Sequence, residues 1–315
     1  MSVAFIFPGQ GSQAVGMGRE VADIPAARAV FDEIDDTLSQ KLSTLMWEGP
    51  EDELTLTENA QPALMTVSLA LLKALEAEHG RVLAERAAFV AGHSLGEYSA
   101  LAAAGAFTVA EAARLLKVRG RAMQEATPVG TGAMAALLGL DYGDVVAVAA
   151  QAAQGEVCEA ANDNAPGQVV VSGHKRAVER AVEIARRVGA KRAVMLAVSA
   201  PFHCALMKPA AAVMAEALAA APMSEPSVPL VSNVTADPVK NPERIRAGLI
   251  EQVTRTVRWR ESMARMSADG VKLFCEIGSG KVLTGLVKRT APDAAALSIS
   301  SPRDFDAALA ALKQG

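Results

Sequence analysis

The sequence predicts an α/β fold: a large α/β-hydrolase-like domain with a parallel central sheet, carrying an inserted small ferredoxin-like subdomain. Three observations lead there. A short apolar strand ending at Val90-Ala91 runs into Gly92-His93-Ser94-Leu95-Gly96 and then directly into an alanine-rich helix, the strand–turn–helix order of a nucleophile elbow. Apolar residues make up 51% of the 315 residues but aromatics only 4%, so the core must be built from Ala, Val and Leu, which suits close-packed helices on a sheet. The middle of the chain follows a βαββαβ order of its own.

Along the chain, Val3 to Phe7 reads as a buried strand, followed by the glycine-rich loop Pro8-Gly9-Gln10-Gly11-Ser12-Gln13. That loop is neither G-x-G-x-x-G nor a P-loop, so it carries no nucleotide signature. Helices are predicted from Ala26 to Leu38 and from about Asn59 to Glu78, the second closed by Gly80. The Ala87–Ala91 strand and the elbow helix come next. Thr108-x-x-Glu111 then forms a capping box that opens a helix bearing Arg114, Arg119 and Arg121. The middle unit comprises a strand at Ala133–Leu138, a helix at Asp141–Ala153, strands at Val157–Ala161 and Gln168–Ser172, a helix at Lys175–Val188 and a strand at Lys191–Leu196. It is entered through the flexible Pro128-Val129-Gly130-Thr131-Gly132. The expected division is a large discontinuous domain of residues 1–127 and 197–315 around an insert of residues 128–196, with a ligand cleft between them. Beyond the insert a helix is expected at about Leu206–Ala220, a strand near Leu230–Ser232, a helix from about Pro242 and a strand at Lys272–Ile277. Gly278-Ser279-Gly280-Lys281 lacks P-loop spacing and reads as a structural turn. A strand near Leu297 and a helix from Asp304 close the fold.

Composition excludes several classes of function. A net charge of −4 offers no basic face for a phosphate backbone, so no nucleic acid partner is expected. No segment reaches the roughly 18 apolar residues of a membrane span, and the N-terminus lacks a basic leader. Cys158, Cys204 and Cys275 are widely spaced and form no C-x-x-C pair, which argues against a disulfide framework and a zinc site. A cytoplasmic location follows, with no metal and no cofactor.

Ser94 is the candidate nucleophile, with helix N-terminal amides nearby for a developing oxyanion. A serine needs a base, and only four histidines are present. His79 ends a helix, His174 sits in a turn, and His93 adjoins Ser94 at a bend where neighbouring side chains point apart. His203 lies in the loop returning from the insert and faces the expected cleft.

At these residues the chain resembles the malonyl-CoA:acyl carrier protein transacylases. The likeness rests on Gly9-Gln10-Gly11-Ser12-Gln13, Gln61-Pro62-Ala63-Leu64, Gly92-His93-Ser94-Leu95-Gly96-Glu97-Tyr98, Arg119-Gly120-Arg121-Ala122-Met123-Gln124, Ala161-Asn162, His203-Cys204-Ala205-Leu206-Met207 and Ser232-Asn233-Val234-Thr235. It implies that Ser94 attacks the thioester of malonyl-CoA, that His203 is its base, and that the thiol of holo acyl carrier protein then takes the malonyl group. It also implies an oxyanion hole from the amides of Gln10 and Leu95 and a backbone carbonyl at Gln252 that orients the histidine in place of a triad acid. Arg119 matches the grip on the malonyl carboxylate. Gln61, Asn162 and Phe202 match residues that bind substrate, and a bulky Phe202 favours malonyl over methylmalonyl. A monomer serving fatty acid synthesis is the expectation. A polyketide trans-acyltransferase is the alternative setting; Arg119 and the lack of a triad acid favour transfer over a serine hydrolase, and the joint presence of Ser94, His203, Arg119 and Gln10 argues against a silent carrier-docking module.

Overall fold

The computed structural model describes residues 2–313. The ends of the expected large domain, residue 1 and residues 314–315, lie outside the described residues. Ten strands fall into two sheets: β1 (Ser2–Phe7), β2 (Ala87–Gly92), β7 (Leu230–Val231), β8 (Pro238–Val239), β9 (Val271–Ile277) and β10 (Ala295–Ile299) in one, β3 (Gly132–Leu138), β4 (Cys158–Ala165), β5 (Gln168–His174) and β6 (Arg192–Met195) in the other.

The larger sheet has the order β10-β9-β1-β2-β7-β8, parallel throughout except for the antiparallel β7–β8 pair. A parallel sheet must be covered on both faces. Alternation along β1 achieves this: Val3, Phe5 and Phe7 enter a core with the Thr57–His79 helix, while Ala4 and Ile6 enter another with Trp259, Met263 and Leu286. Because β1 and β2 are parallel neighbours, the loops after them emerge at the same sheet edge. The chain leaves β1 toward β2 on one side and returns to β9 on the other, the kind of crossover edge at which open α/β sheets bind ligands.

The smaller sheet is antiparallel with the order β4-β5-β3-β6, and it packs on the Tyr142–Ala153 and Lys175–Arg187 helices around a separate core. Several contacts bind it to the rest. Backbone hydrogen bonds join Val257 to Ala161 and Asp163, each at 2.9 Å, and Asp163 pairs with Arg260 at 2.7 Å.

Some expectations need adjustment. β4 runs on to Ala165, past the expected end at Ala161, because its polar residues find partners across the interface: Asn164 bonds His93 and Asp163 bonds Arg260. Only half of the Thr108 capping box forms. Thr108 Oγ1 accepts from the Glu111 amide at 3.1 Å, but the Glu111 carboxylate turns to Arg114 instead. Five further helices were not anticipated: Leu42–Glu48, Glu51–Thr55, Val82–Arg86, Trp259–Ala268 and Val282–Thr290. Among the described residues no helix is long and apolar enough to cross a membrane.

Candidate active site

The turn after β2 is built by backbone contact that only glycine permits. A Cβ on Gly92 would stand 1.9 Å from the carbonyl of Gly96, and one on Gly96 would stand 2.4 Å from Phe7 O. The strand can therefore turn straight into the Gly96–Ala103 helix with the loop after β1 pressed against it. Ser94 sits at the tip with φ 53°, a left-handed conformation costing a non-glycine residue roughly 1–2 kcal/mol. The Asn233 side chain holds it there, accepting from Ser94 N at 2.8 Å and donating to Gly92 O at 2.8 Å.

Ser94 Oγ lies 2.8 Å from His203 Nε2, and His203 Nδ1 lies 2.8 Å from the backbone carbonyl of Gln252. A carbonyl can only accept, so Nδ1 carries the proton and Nε2 is left to accept from the serine hydroxyl. Burial, followed by the positive charge of Arg119, lowers the His203 pKa to about 3. The imidazole is thus neutral across the physiological range and free to take a proton.

Arg119 stands at the other side of the serine. Its Nη1 donates to Gln61 Oε1 at 2.7 Å, and its Nη2 donates to Ser94 Oγ at 3.0 Å and Gln252 Oε1 at 2.9 Å. The residue is 1% exposed, none of these acceptors is a carboxylate, and Nε has no partner. Its pKa is lowered, chiefly by burial. A desolvated guanidinium with neutral partners is primed for an anionic ligand. Arg114, five residues earlier on the same helix, is largely solvated.

The remaining residues singled out from the sequence converge on one cleft of about 190 Å³ between the two sheets, where Gln10, Leu95, Gln61, Asn162 and Phe202 join Ser94, His203 and Arg119. The backbone amides of Gln10 and Leu95 have no acceptor among the described residues. Gln10 is held from the side by its amide on Thr57 Oγ1, at 3.3 Å. Behind the Gln10 loop, Gly278 packs against Pro8, and Ser279 Oγ donates to Ser12 O at 2.7 Å, so the Gly-Ser-Gly-Lys segment is a turn that buttresses this loop. His93 bonds Asn164 and lies 5.5 Å from the Trp259 ring, while His174 accepts from Val157 N; neither reaches the serine.

The family model described as "Acyl transferase domain" matches residues 4–303. The chain belongs to the acyl transferase family. Within that family it is similar to the malonyl CoA-acyl carrier protein transacylase of Bacillus subtilis, 48% identical over 99% of this chain and 98% of the relative, and to that of Escherichia coli K12, 46% identical over 97% and 98%. Among solved structures, the acyl-carrier-protein S-malonyltransferase of Bartonella henselae superposes with a TM-score of 0.97 at 53% identity, covering 99% of this chain and 100% of that one. A malonyl-transacylase in complex with a type II polyketide acyl carrier protein gives a TM-score of 0.95 at 41% identity over the whole of both chains.

Two residues of this acyl transferase's site escaped the sequence reading as functional groups. One is Asn233, the clasp on the elbow. The other is Glu97, buried, which accepts from the Asn233 amide at 2.6 Å and from Gln252 Nε2. Both lie inside motifs quoted for the family resemblance, but their partners are more than a hundred positions away, beyond any local pattern. The Gln252 side chain, expected only as a backbone carbonyl, proves to be the link between Glu97 and Arg119.

Proposed function

We propose that the chain transfers a malonyl group from malonyl-CoA to the phosphopantetheine thiol of holo acyl carrier protein in two half-reactions, through a malonyl ester on Ser94. His203 Nε2 takes the hydroxyl proton as Oγ attacks the thioester carbonyl. The amides of Gln10 and Leu95 receive the oxyanion. Its collapse breaks the C–S bond, and the imidazolium returns the proton to the departing thiolate. The carrier thiol then repeats the sequence in reverse, with His203 as its base. Arg119 grips the malonyl carboxylate, with Gln61, Asn162 and Phe202 shaping the pocket. No step needs a metal or cofactor.

The observation that carries this reading is the buried Arg119 without a carboxylate partner, 3.0 Å from the nucleophile. An esterase for neutral acyl groups gains nothing from such a charge. The family relationship supports fatty acid synthesis as the setting, and the likeness to a polyketide carrier complex favours a second reading for the carrier alone. A cytoplasmic monomer is part of the proposal, and the molar mass in solution tests the second half of it. The separate core of the small sheet supports a division at residues 128–196. The test is intact mass after mixing the protein with malonyl-, methylmalonyl- and acetyl-CoA, followed by addition of a holo carrier. A malonyl adduct that persists in water and is discharged by the carrier thiol is expected. Rapid loss to water would make the chain a hydrolase.

A further inference from the structure

Gln252 serves the site twice. Its backbone carbonyl orients His203, and its side-chain oxygen accepts from Arg119 Nη2 at 2.9 Å. That side-chain orientation is not free. Gln252 Nε2 faces three acceptors: Ser94 O at 2.9 Å, Asn233 Oδ1 at 3.2 Å and Glu97 Oε2. Glu97 Oε1 is meanwhile committed to the Asn233 backbone amide. Both carboxyl oxygens thus act as acceptors.

We propose that Glu97 is a positioning residue for acyl-group selection: its carboxylate holds the Gln252 amide with the oxygen turned toward Arg119, and so fixes the guanidinium for the malonyl carboxylate. The inference rests on the reading of Arg119 as the carboxylate grip. An amide at position 97 would keep its oxygen on the fixed Asn233 N–H and turn its NH2 toward Gln252. Gln252 would then rotate its oxygen to that NH2 and present its own NH2 to Arg119, donor against donor. A protonated Glu97 has the same consequence, since its hydroxyl must donate where it now accepts.

Burial pushes the Glu97 carboxyl up to about 8, against the pull of the Asn233 amide, Arg119 and Gln252. The other ionisable groups near it are Tyr98, the next residue on its own helix, and Arg119 from the Val109–Glu125 helix, with His203 beyond Arg119. Tyr98 is shifted upward and His203 far downward, so neither changes charge between pH 6 and 9. In that window Glu97 alone changes the local charge.

The experiment compares single-turnover acylation by malonyl-CoA and acetyl-CoA in the parent, Glu97→Gln, Gln252→Ala and Arg119→Ala from pH 6 to 9. For the parent, the malonyl-to-acetyl ratio of kcat/KM should climb toward pH 9. In Glu97→Gln the ratio should be at least tenfold below the parent's at pH 9 and independent of pH, with acetylation reduced less than threefold. Gln252→Ala keeps the carbonyl behind His203 and should show the same flat, lowered ratio, which preserves the test if Glu97→Gln does not fold. Equal losses for both donors, an unchanged ratio at pH 9, or a pH slope that persists in the variants would overturn the inference. If Arg119→Ala also leaves the ratio unchanged, the failure lies with the carboxylate grip itself; if only Arg119→Ala lowers it, Glu97 alone is misassigned.

Discussion

Ser94 N donates to the side chain of Asn233 at 2.8 Å across 139 positions of sequence, and this contact helps to hold a left-handed serine at the tip of the elbow. The same amide ties back to Gly92 O, so one side chain braces both the entry and the tip of the turn. The elbow is thus stabilised by a residue delivered after β7, on the far side of the inserted unit.

Asn233→Ala should leave the half-buried Ser94 amide and the buried Gly92 carbonyl without these partners. An unsatisfied buried group costs about 1–3 kcal/mol, so both stability and nucleophile placement should suffer. Denaturant unfolding should give a lower midpoint, and malonylation should slow at temperatures where the variant is still folded. Parent-like values for both would mean that the elbow keeps its shape unaided.

Ser94→Ala should fold like the parent yet form no acyl adduct with malonyl-CoA. Cys204, next to His203, is the one nearby thiol in the chain's own sequence, but it is buried and its pKa is pushed up to about 11, mainly by that burial. Peptide mapping of the labelled parent should place the malonyl group on the elbow peptide. A label on Cys204 would sink the assignment.

The neutral state of His203 predicts an unusual acid limb. Free imidazole loses its proton near 6.5, but the buried ring does so at about 3, so acylation with acetyl-CoA should stay flat from pH 7 down to pH 5. An inflection near 6.5 would contradict this. Stability carries the opposite sign of benefit: as pH falls below 6.5 the unfolded chain takes up a proton that the native ring refuses, and unfolding becomes easier. His203→Gln should lose that part of the acid sensitivity, visible as a shallower fall of Tm between pH 6 and pH 4.

How far the site could be read from sequence depends on how local each cause is. Ser94 was legible because its turn is written in five consecutive residues, and Arg119 because the family likeness separated it from Arg114 on the same helix. The strands and helices of the small sheet were legible from their βαββαβ order, with apolar runs such as Ala133–Leu138 and Val169–Val171 set between helical segments. The polar end of β4 was not, since the Asp163 and Asn164 side chains find their partners, Arg260 and His93, in the body of the protein and not in their own sheet. The Val282–Thr290 helix was hidden for a similar reason: its first amides bond the buried Glu276 carboxylate, at 3.0 Å to Leu283 N and 2.6 Å to Thr284 N, and no capping residue precedes it in sequence. Asn233, Glu97 and the side chain of Gln252 act only through folded proximity.

Arg119→Ala gives the sharpest test of what the site selects. In the free protein the guanidinium is held directly by Gln61, Gln252 and Ser94, all neutral, with the Glu97 carboxyl one side chain further away, so no carboxylate meets it directly until an anionic acyl group does so. A hydrogen bond to a charged group contributes about 1.5–3 kcal/mol, and two in parallel should shift malonyl selectivity by orders of magnitude. Acetyl-CoA presents no carboxylate, so its acylation should fall far less, limited to the loss of the Arg119 contact with Ser94 Oγ. Arg119→Lys should recover only part of the malonyl rate, because a single ammonium cannot meet two carboxylate oxygens while still donating to Gln61 and Gln252. The measurement is the ratio of acylation efficiencies for malonyl- and acetyl-CoA in parent and variants. Equal losses for both donors would mean that Arg119 serves the serine and not the carboxylate, and the preference for malonyl would then have to come from the pocket around Phe202.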